Sequence, residues 1–178
     1  MNLKCAMKIK KTIILLIFSL SVIACAGPKA VSKNEKQNDH FTLVKVENIK
    51  NYLSVLSNKP VKDTVIIKYD FNYESCWNTL DQQTDLYINN IILSTNDFIS
   101  KYKIAHPGTS VYQIKEGGKN FNKIVLWNNK ILTDGGYLRK NIFTRKTICG
   151  TSLILYPDGS HKFFYSDSHF MALQPNKK

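Results

Sequence analysis

Between two apolar runs, Ser152 to Tyr156 and His161 to Tyr165, stands Pro157-Asp158-Gly159-Ser160. Proline presets a turn φ, Asp bonds its own backbone, and Gly accepts a positive φ. The segment predicts a β-hairpin, and with it an antiparallel half-sheet. Upstream the pattern differs. Thr64 to Phe71 (TVIIKYDF) is β-branched and aromatic with few breaks, as expected of a central strand buried on both faces. From Trp77 the period becomes helical: Trp77, Leu80, Thr84, Tyr87, Ile88, Ile91 and Ile92 share a face. Phe98, Ile99 and Tyr102 continue it after Ser94-Thr95-Asn96, a polar interruption that predicts a kink or restart. His106-Pro107-Gly108 ends this helix, and Thr109 to Lys115 alternates as a strand closed by Gly117-Gly118. Strand–helix–strand units imply a parallel half-sheet beside the antiparallel one.

The remaining segments are shorter. Phe41 to Val46 alternates and predicts a strand, and Glu47 to Leu56 predicts a short amphipathic helix stopped by Asn58-Lys59-Pro60. Lys123 to Trp127 reads as an extra edge strand, Asp134-Gly135-Gly136 as a turn, and Tyr137 to Phe143 as a weak helix. A short terminal helix is expected near Ser168 to Leu173. No internal repeat is visible. The core is expected to hold Ile66, Ile67 and Leu155 in central strands, with Ile88 and Ile91 packed on them from the long helix.

The N-terminus has a separate logic. Lys4, Lys8, Lys10 and Lys11 precede an uncharged apolar run, Thr12 to Ala24. Spanning hydrocarbon takes ~20 helical residues, so this run is too short for that and has the length of a signal-peptide core. It ends in Val22-Ile23-Ala24-Cys25, which resembles the lipobox of bacterial lipoproteins. The resemblance implies a lipidated Cys25, with acyl chains anchoring the protein at ~0.8 kcal/mol per buried CH₂. A plain cleaved signal peptide and an uncleaved signal anchor are the alternatives. Ala26 after Cys25, by resemblance to Gram-negative lipoproteins, points to the outer membrane, facing periplasm or surface. Cys5 falls in the discarded segment. The expected organisation is a signal peptide at 1–24, a polar tether at 25–40 and one domain at 41–178.

The chain of 178 residues has 25 Lys+Arg against 13 Asp+Glu, and its only Arg are Arg139 and Arg145. Lys, Asn and Ile make up about a third of it, a mix that AT-rich coding alone produces, so the charge argues little for a nucleic-acid partner and none is expected. Removing residues 1–24, with four Lys and no acid, lowers the net charge from +12 to +8. That excess suits anionic lipid headgroups. Trp77 and Trp127 sit in apolar periodic contexts and read as core rather than as a sugar- or nucleic-acid-binding face.

With Cys25 lipidated, two thiols remain, Cys76 and Cys149. An exported pair invites a disulfide closing more than seventy residues, and two buried free thiols are the alternative. There is no Cys-x-x-Cys, no His cluster and no His-Glu-x-x-His, so neither a metal site nor a cofactor is expected. His40, His106, His161 and His169 are scattered singly and read as surface or turn residues.

This succession resembles a thioredoxin-like three-layer α/β sandwich with a mixed central sheet of four to five strands. Two places carry the likeness. Tyr69-Asp70-Phe71 ends a hydrophobic strand and Cys76-Trp77-Asn78-Thr79 opens the helix after it, where such proteins keep Cys-x-x-Cys. Thr147-Ile148-Cys149-Gly150-Thr151-Ser152, running into Leu153 to Gly159, is similar to the Gly-x-Pro segment of secreted thiol–disulfide interchange proteins. Two signature positions differ: Thr79 stands at the second Cys, and Ser152 at the cis-proline. The resemblance also implies that the loop of Cys149 lies across from Cys76, so that the two meet in a disulfide. A thiol at a helix start gains acidity, Glu74 opposes that gain, and Asp70 is either the family's proton-transfer acid or a turn acid.

Three functions follow. One is a lipid-anchored envelope protein whose degenerate domain binds an unidentified protein partner or serves a structural role without catalysis. A second is a thiol–disulfide oxidoreductase using Cys76 with Cys149 as its catalytic pair. The third is an immunity- or binding-type lipoprotein of another fold.

Overall fold

The structure, a computed structural model, describes residues 40–118, 123 and 130–174. The expected signal peptide, Cys25, nearly all of the tether, and the expected edge strand apart from Lys123 lie outside the described residues, as does Trp127.

Helix α1 (Leu43–Ser57) starts earlier than its periodicity implied. Thr42 caps it, its side chain accepting from the Lys45 N–H at 3.2 Å. The expected strand at Phe41 to Val46 is therefore a cap and a first turn. Six alternating residues fit a helix as well as a strand when Leu43 and Val44 stay exposed and only Val46 is buried. Asn58 ends the helix in the left-handed region.

Strand β1 (Thr64–Asp70) is buried along nearly its whole length, as its composition implied. The long helix is two helices, α2 (Ser75–Asp81) and α3 (Asp85–Ala105). The break falls at Gln82-Gln83-Thr84, where Thr84 accepts from the Tyr87 N–H at 3.3 Å and restarts the chain. Ser94-Thr95-Asn96 runs unbroken within α3, with Thr95 and Asn96 half-buried between Ile92 and Ile99. Strand β2 (Thr109–Glu116) follows, then β3 (Ile131–Asp134), α4 (Tyr137–Asn141), β4 (Thr151–Leu155) and β5 (His161–Tyr165). The expected terminal helix is a single 3₁₀ turn, Met171–Leu173.

The sheet order is β3-β2-β1-β4-β5. β1 pairs parallel with β2 and β2 with β3, while β4 runs antiparallel to both β1 and β5. The parallel and antiparallel halves thus meet at β1, and the hairpin forms where expected. The described edge strand is β3, whose last residue, Asp134, the sequence assigns to a turn.

Alternation along β1 divides the core. Val65, Ile67 and Tyr69 face Val46, Ile49 and Leu53 of α1 and Leu138 of α4, together with Leu153 and Leu155 of β4. Ile66 faces the other way, against Ile99 of α3, Val111, Ile154 and the 3₁₀ turn. Ile66, Ile67 and Leu155 are core residues as expected, but Ile88 and Ile91 do not pack on them. Ile88 and Ile92 are buried with Trp77, against Leu80, Ile91 and Ile131, in a separate cluster.

Candidate functional site

The alternation of β1 places two charged side chains, Lys68 and Asp70, on the α3 face, and they pair at 3.2 Å with both side chains largely buried. After Phe71 the chain turns sharply, with Tyr73 at φ 59°. Glu74 closes this turn: its carboxylate accepts the Phe71 N–H at 2.8 Å. Cys76 then stands second in α2.

From the other direction, the loop after α4 carries Cys149. Lys68 Nζ donates to the Cys149 carbonyl at 3.0 Å, and the Cys76 N–H donates to Ile148 at 3.4 Å. The two cysteines, 73 residues apart in sequence, are joined in a disulfide with Cα atoms 5.0 Å apart, inside the normal range for such a bridge. Gly150 next to it has φ +72°. A Cβ there would stand 2.4 Å from Lys68 Nζ, 2.7 Å from the Tyr69 carbonyl and 2.8 Å from Asp70 Oδ1. Only glycine lets the disulfide loop cross this close above the ion pair.

Ser152 does not sit in that loop. It is the second residue of β4, opposite Lys68, fully buried, and its hydroxyl has no partner among the described residues. The residue that leads the loop into β4 from beside Cys149 is Gly150, two positions earlier. Asp70 is not a turn acid either: its partner is Lys68. Thr79 Oγ1 bonds back to the Ser75 carbonyl at 2.9 Å, a helix-internal role.

Glu74 is the group that sequence reasoning undervalued. It is only 2% exposed, and burial first, then the neighbouring Asp70, pushes its pKa up to about 8, against the pull of the Phe71 N–H, Lys68 and the Gly150 N–H. At neutral pH it is mostly protonated, so it opposes a thiolate at Cys76 less than a charged Glu would.

Both cysteines line a cleft of about 810 Å³ between the sheet, α2, α3 and the segment leading into the 3₁₀ turn. Lys68, Asp70, Glu74 and Gln113 form one wall, and Trp77, Phe98 and Phe170 supply apolar surface. Asp167, buried, holds the C-terminal segment in place by accepting the Met171 N–H at 2.8 Å, and its own N–H donates to Gly150 at 3.2 Å. On the outer side, Tyr73 is 67% exposed and Ile148 65%, so each chain segment entering the disulfide presents a large apolar residue to solvent. No group of three or more His, Cys, Asp or Glu side chains is placed to hold a metal among the described residues. His169 lies at the cleft, His106 caps α3, His161 stacks on Phe41, and His40 pairs with Ser160.

β1 pairs parallel with β2 and antiparallel with β4, and Cys76 stands in the first turn of the helix after β1, bonded to the loop before β4. The fold is thioredoxin-like. A binding protein of unrelated fold is thereby set aside. The chain matches no protein-family model and no curated protein. Among solved structures it is similar to a secreted Mycobacterium tuberculosis disulfide oxidoreductase homologous to E. coli DsbE, with TM-score 0.37 and 12% identity over 64% of this chain and 76% of that one. It is also similar to DsbF of the same organism, with TM-score 0.39 and 6% identity over 65% and 78% of the two chains. StoA from Bacillus subtilis gives TM-score 0.37 and 20% identity over 65% and 82%. No residue role passes from these proteins to this thioredoxin-like domain.

Proposed function

We propose that this chain is a lipid-anchored cell-envelope protein whose thioredoxin-like domain binds a partner or serves as a structural module, with Cys76–Cys149 as a structural bridge. The observation that carries this reading is the position of Cys149. The partner of Cys76 is not a helix neighbour that could swing to resolve a mixed disulfide. It belongs to a loop held from below by Lys68 and passing over it at Gly150, so Cys149 cannot swing to a second position without breaking those contacts. Tyr73 and Ile148, exposed on either side of the bridge, are the apolar contacts such a partner would cover.

The test is thiol reactivity. On this reading the bridge resists mild reductants, and the fully reduced protein shows no fast, selective labelling at Cys76. Rapid labelling of Cys76 with a pKa well under 8 would instead establish the oxidoreductase, in which Cys76 attacks and Cys149 resolves. That second reading is favoured by one observation: the bridge lines an open cleft together with an acid titrating near neutrality.

The anchor is supported by Val22-Ile23-Ala24-Cys25 behind four lysines and a 13-residue apolar run. Cys25→Ser should abolish incorporation of labelled fatty acid and move the protein to the aqueous phase of a detergent separation. Labelling that persists in the variant would reject the lipoprotein reading.

A further inference from the structure

At the end of the sheet away from the disulfide, three lysines lie together. Lys59 and Lys62 lie on the loop from α1 to β1 and Lys103 in the last turn of α3, while Lys130, one residue before the Ile131–Gln113 pair, stands on the sheet edge level with the middle of β2. The α1–β1 loop is tied to the turn before β2. The Lys62 N–H donates to Ser110 Oγ at 3.0 Å, the Lys62 ammonium to the Pro107 carbonyl, and the Thr64 N–H to Gly108 at 3.3 Å. Partial burial lowers the pKa of Lys103, and repulsion from Lys59, Lys62 and Lys130 lowers it further, so these ammonium groups feel one another. Two large aliphatic residues border them in sequence: Ile104, 81% exposed, next to Lys103, and Val55, 84% exposed, one turn before Lys59. Asp63 and Asp158, both exposed, are acids at this end.

The N-terminal end of the folded domain is at this end too. His40 pairs with Ser160 in the hairpin turn, and that turn extends from Leu155, which lies opposite Val65 at the beginning of β1. The disulfide is at the far end of β1, beyond Asp70. Seven residues of strand separate the two ends, roughly 20 Å.

We propose that the end of the domain carrying Lys59, Lys62 and Lys103 docks onto anionic lipid headgroups, turning the disulfide and its cleft away from the membrane. The proposal deepens the anchor reading and rests on it: a lipid at Cys25 is tethered to the domain at His40, so the anchored domain meets the surface with this end at high effective concentration. Ammonium groups match headgroup phosphates, and exposed aliphatic chains reach the headgroup–acyl boundary. A soluble polyanion would satisfy the lysines but give Ile104 and Val55 nothing to bury against, which favours a lipid surface over a nucleic acid.

The test uses the lipidated protein on vesicles of phosphatidylcholine alone or mixed with phosphatidylglycerol, with amine labelling read residue by residue. With phosphatidylglycerol, Lys59 and Lys103 should label about fivefold or more slowly, while Lys146 near the disulfide is unchanged; salt at about 0.5 M should erase the difference. Ile104→Ser, at a site exposed enough to leave folding alone, should weaken the protection. Equal labelling of Lys103 and Lys146 on both vesicles, in protein that floats with them, overturns the proposal. Protection by heparin but not by phosphatidylglycerol overturns it as well. Failure to float with phosphatidylcholine removes the anchor reading instead. Labelling on phosphatidylglycerol vesicles still decides the docking surface in that case: protection supports it and none overturns it.

Discussion

Lys68 and Asp70, two positions apart on one face of β1, pair at 3.2 Å directly beneath Gly150, and the same Lys68 ammonium holds the Cys149 carbonyl at 3.0 Å. One buried cation thus ties the central strand to the loop that carries half of the disulfide. Removing one member of a buried pair leaves the other unneutralised. Lys68→Met should therefore cost about 3 kcal/mol in urea unfolding, and Lys68→Met/Asp70→Leu should recover much of it. A single-variant loss below about 0.5 kcal/mol would show that the pair does not organise the site.

The bridge itself is open to measurement. Closing a loop of 73 residues contributes about 4 kcal/mol in the chain-entropy model, so Cys76→Ser/Cys149→Ser should unfold at markedly lower denaturant. A double variant as stable as the oxidised parent would argue against a structural bridge.

Large-to-small changes test the core. Ile67 and Leu155 are fully buried on the α1 face, and Ile67→Ala or Leu155→Ala should each cost ~2–5 kcal/mol. Ile91→Ala, in a partly buried cluster apart from the sheet centre, should cost less than either.

Stability should depend on pH with two opposite slopes. The pKa of Glu74 is raised in the fold from 4.5 to about 8, so between these values the folded chain keeps a proton the unfolded chain has released. Stability from this group is full below about 4.5 and falls as pH rises toward about 8; Glu74→Gln should flatten that limb. Asp134 runs the other way. Burial would raise its pKa, but hydrogen bonds from Tyr52 at 2.7 Å, the Arg139 N–H at 2.9 Å, Tyr69 at 2.9 Å and the Leu138 N–H at 3.2 Å hold it below the usual carboxylate value. Its contribution is present above that value and is lost on acidification below it. Asp134→Asn should remove the acid limb and cost about 2–3 kcal/mol at neutral pH, read from urea titrations across pH.

Ser152 offers a change in the stabilising direction. A buried hydroxyl without a protein partner is a desolvation cost, so Ser152→Ala should leave stability unchanged or raise it by about 1 kcal/mol. A loss above about 1 kcal/mol would mean that the hydroxyl is satisfied by an ordered water.

Sequence by itself determined the elements whose signal is local. Pro157-Asp158-Gly159-Ser160 carries its turn chemistry in four residues, and Thr64 to Asp70 declares a doubly buried strand by composition, so the hairpin and the central strand were legible, and with them the thioredoxin-like order. Tertiary structure decided what depends on partners far along the chain. Phe41 to Val46 alternates like a strand, but Thr42 capping and burial of Val46 against the sheet make it a helix start. Four residues, Ile131–Asp134, become a strand because β2 offers a parallel edge, and Asp134 becomes a structural hub because Tyr52 and Tyr69 converge on it from 82 and 65 residues away. Glu74 looked like a charge beside a thiol, and only burial next to Asp70 made it a largely neutral acid. The physical reason is range: turn and strand propensities act within a few residues, whereas burial, ion pairing and strand pairing exist only once the chain has brought distant segments together.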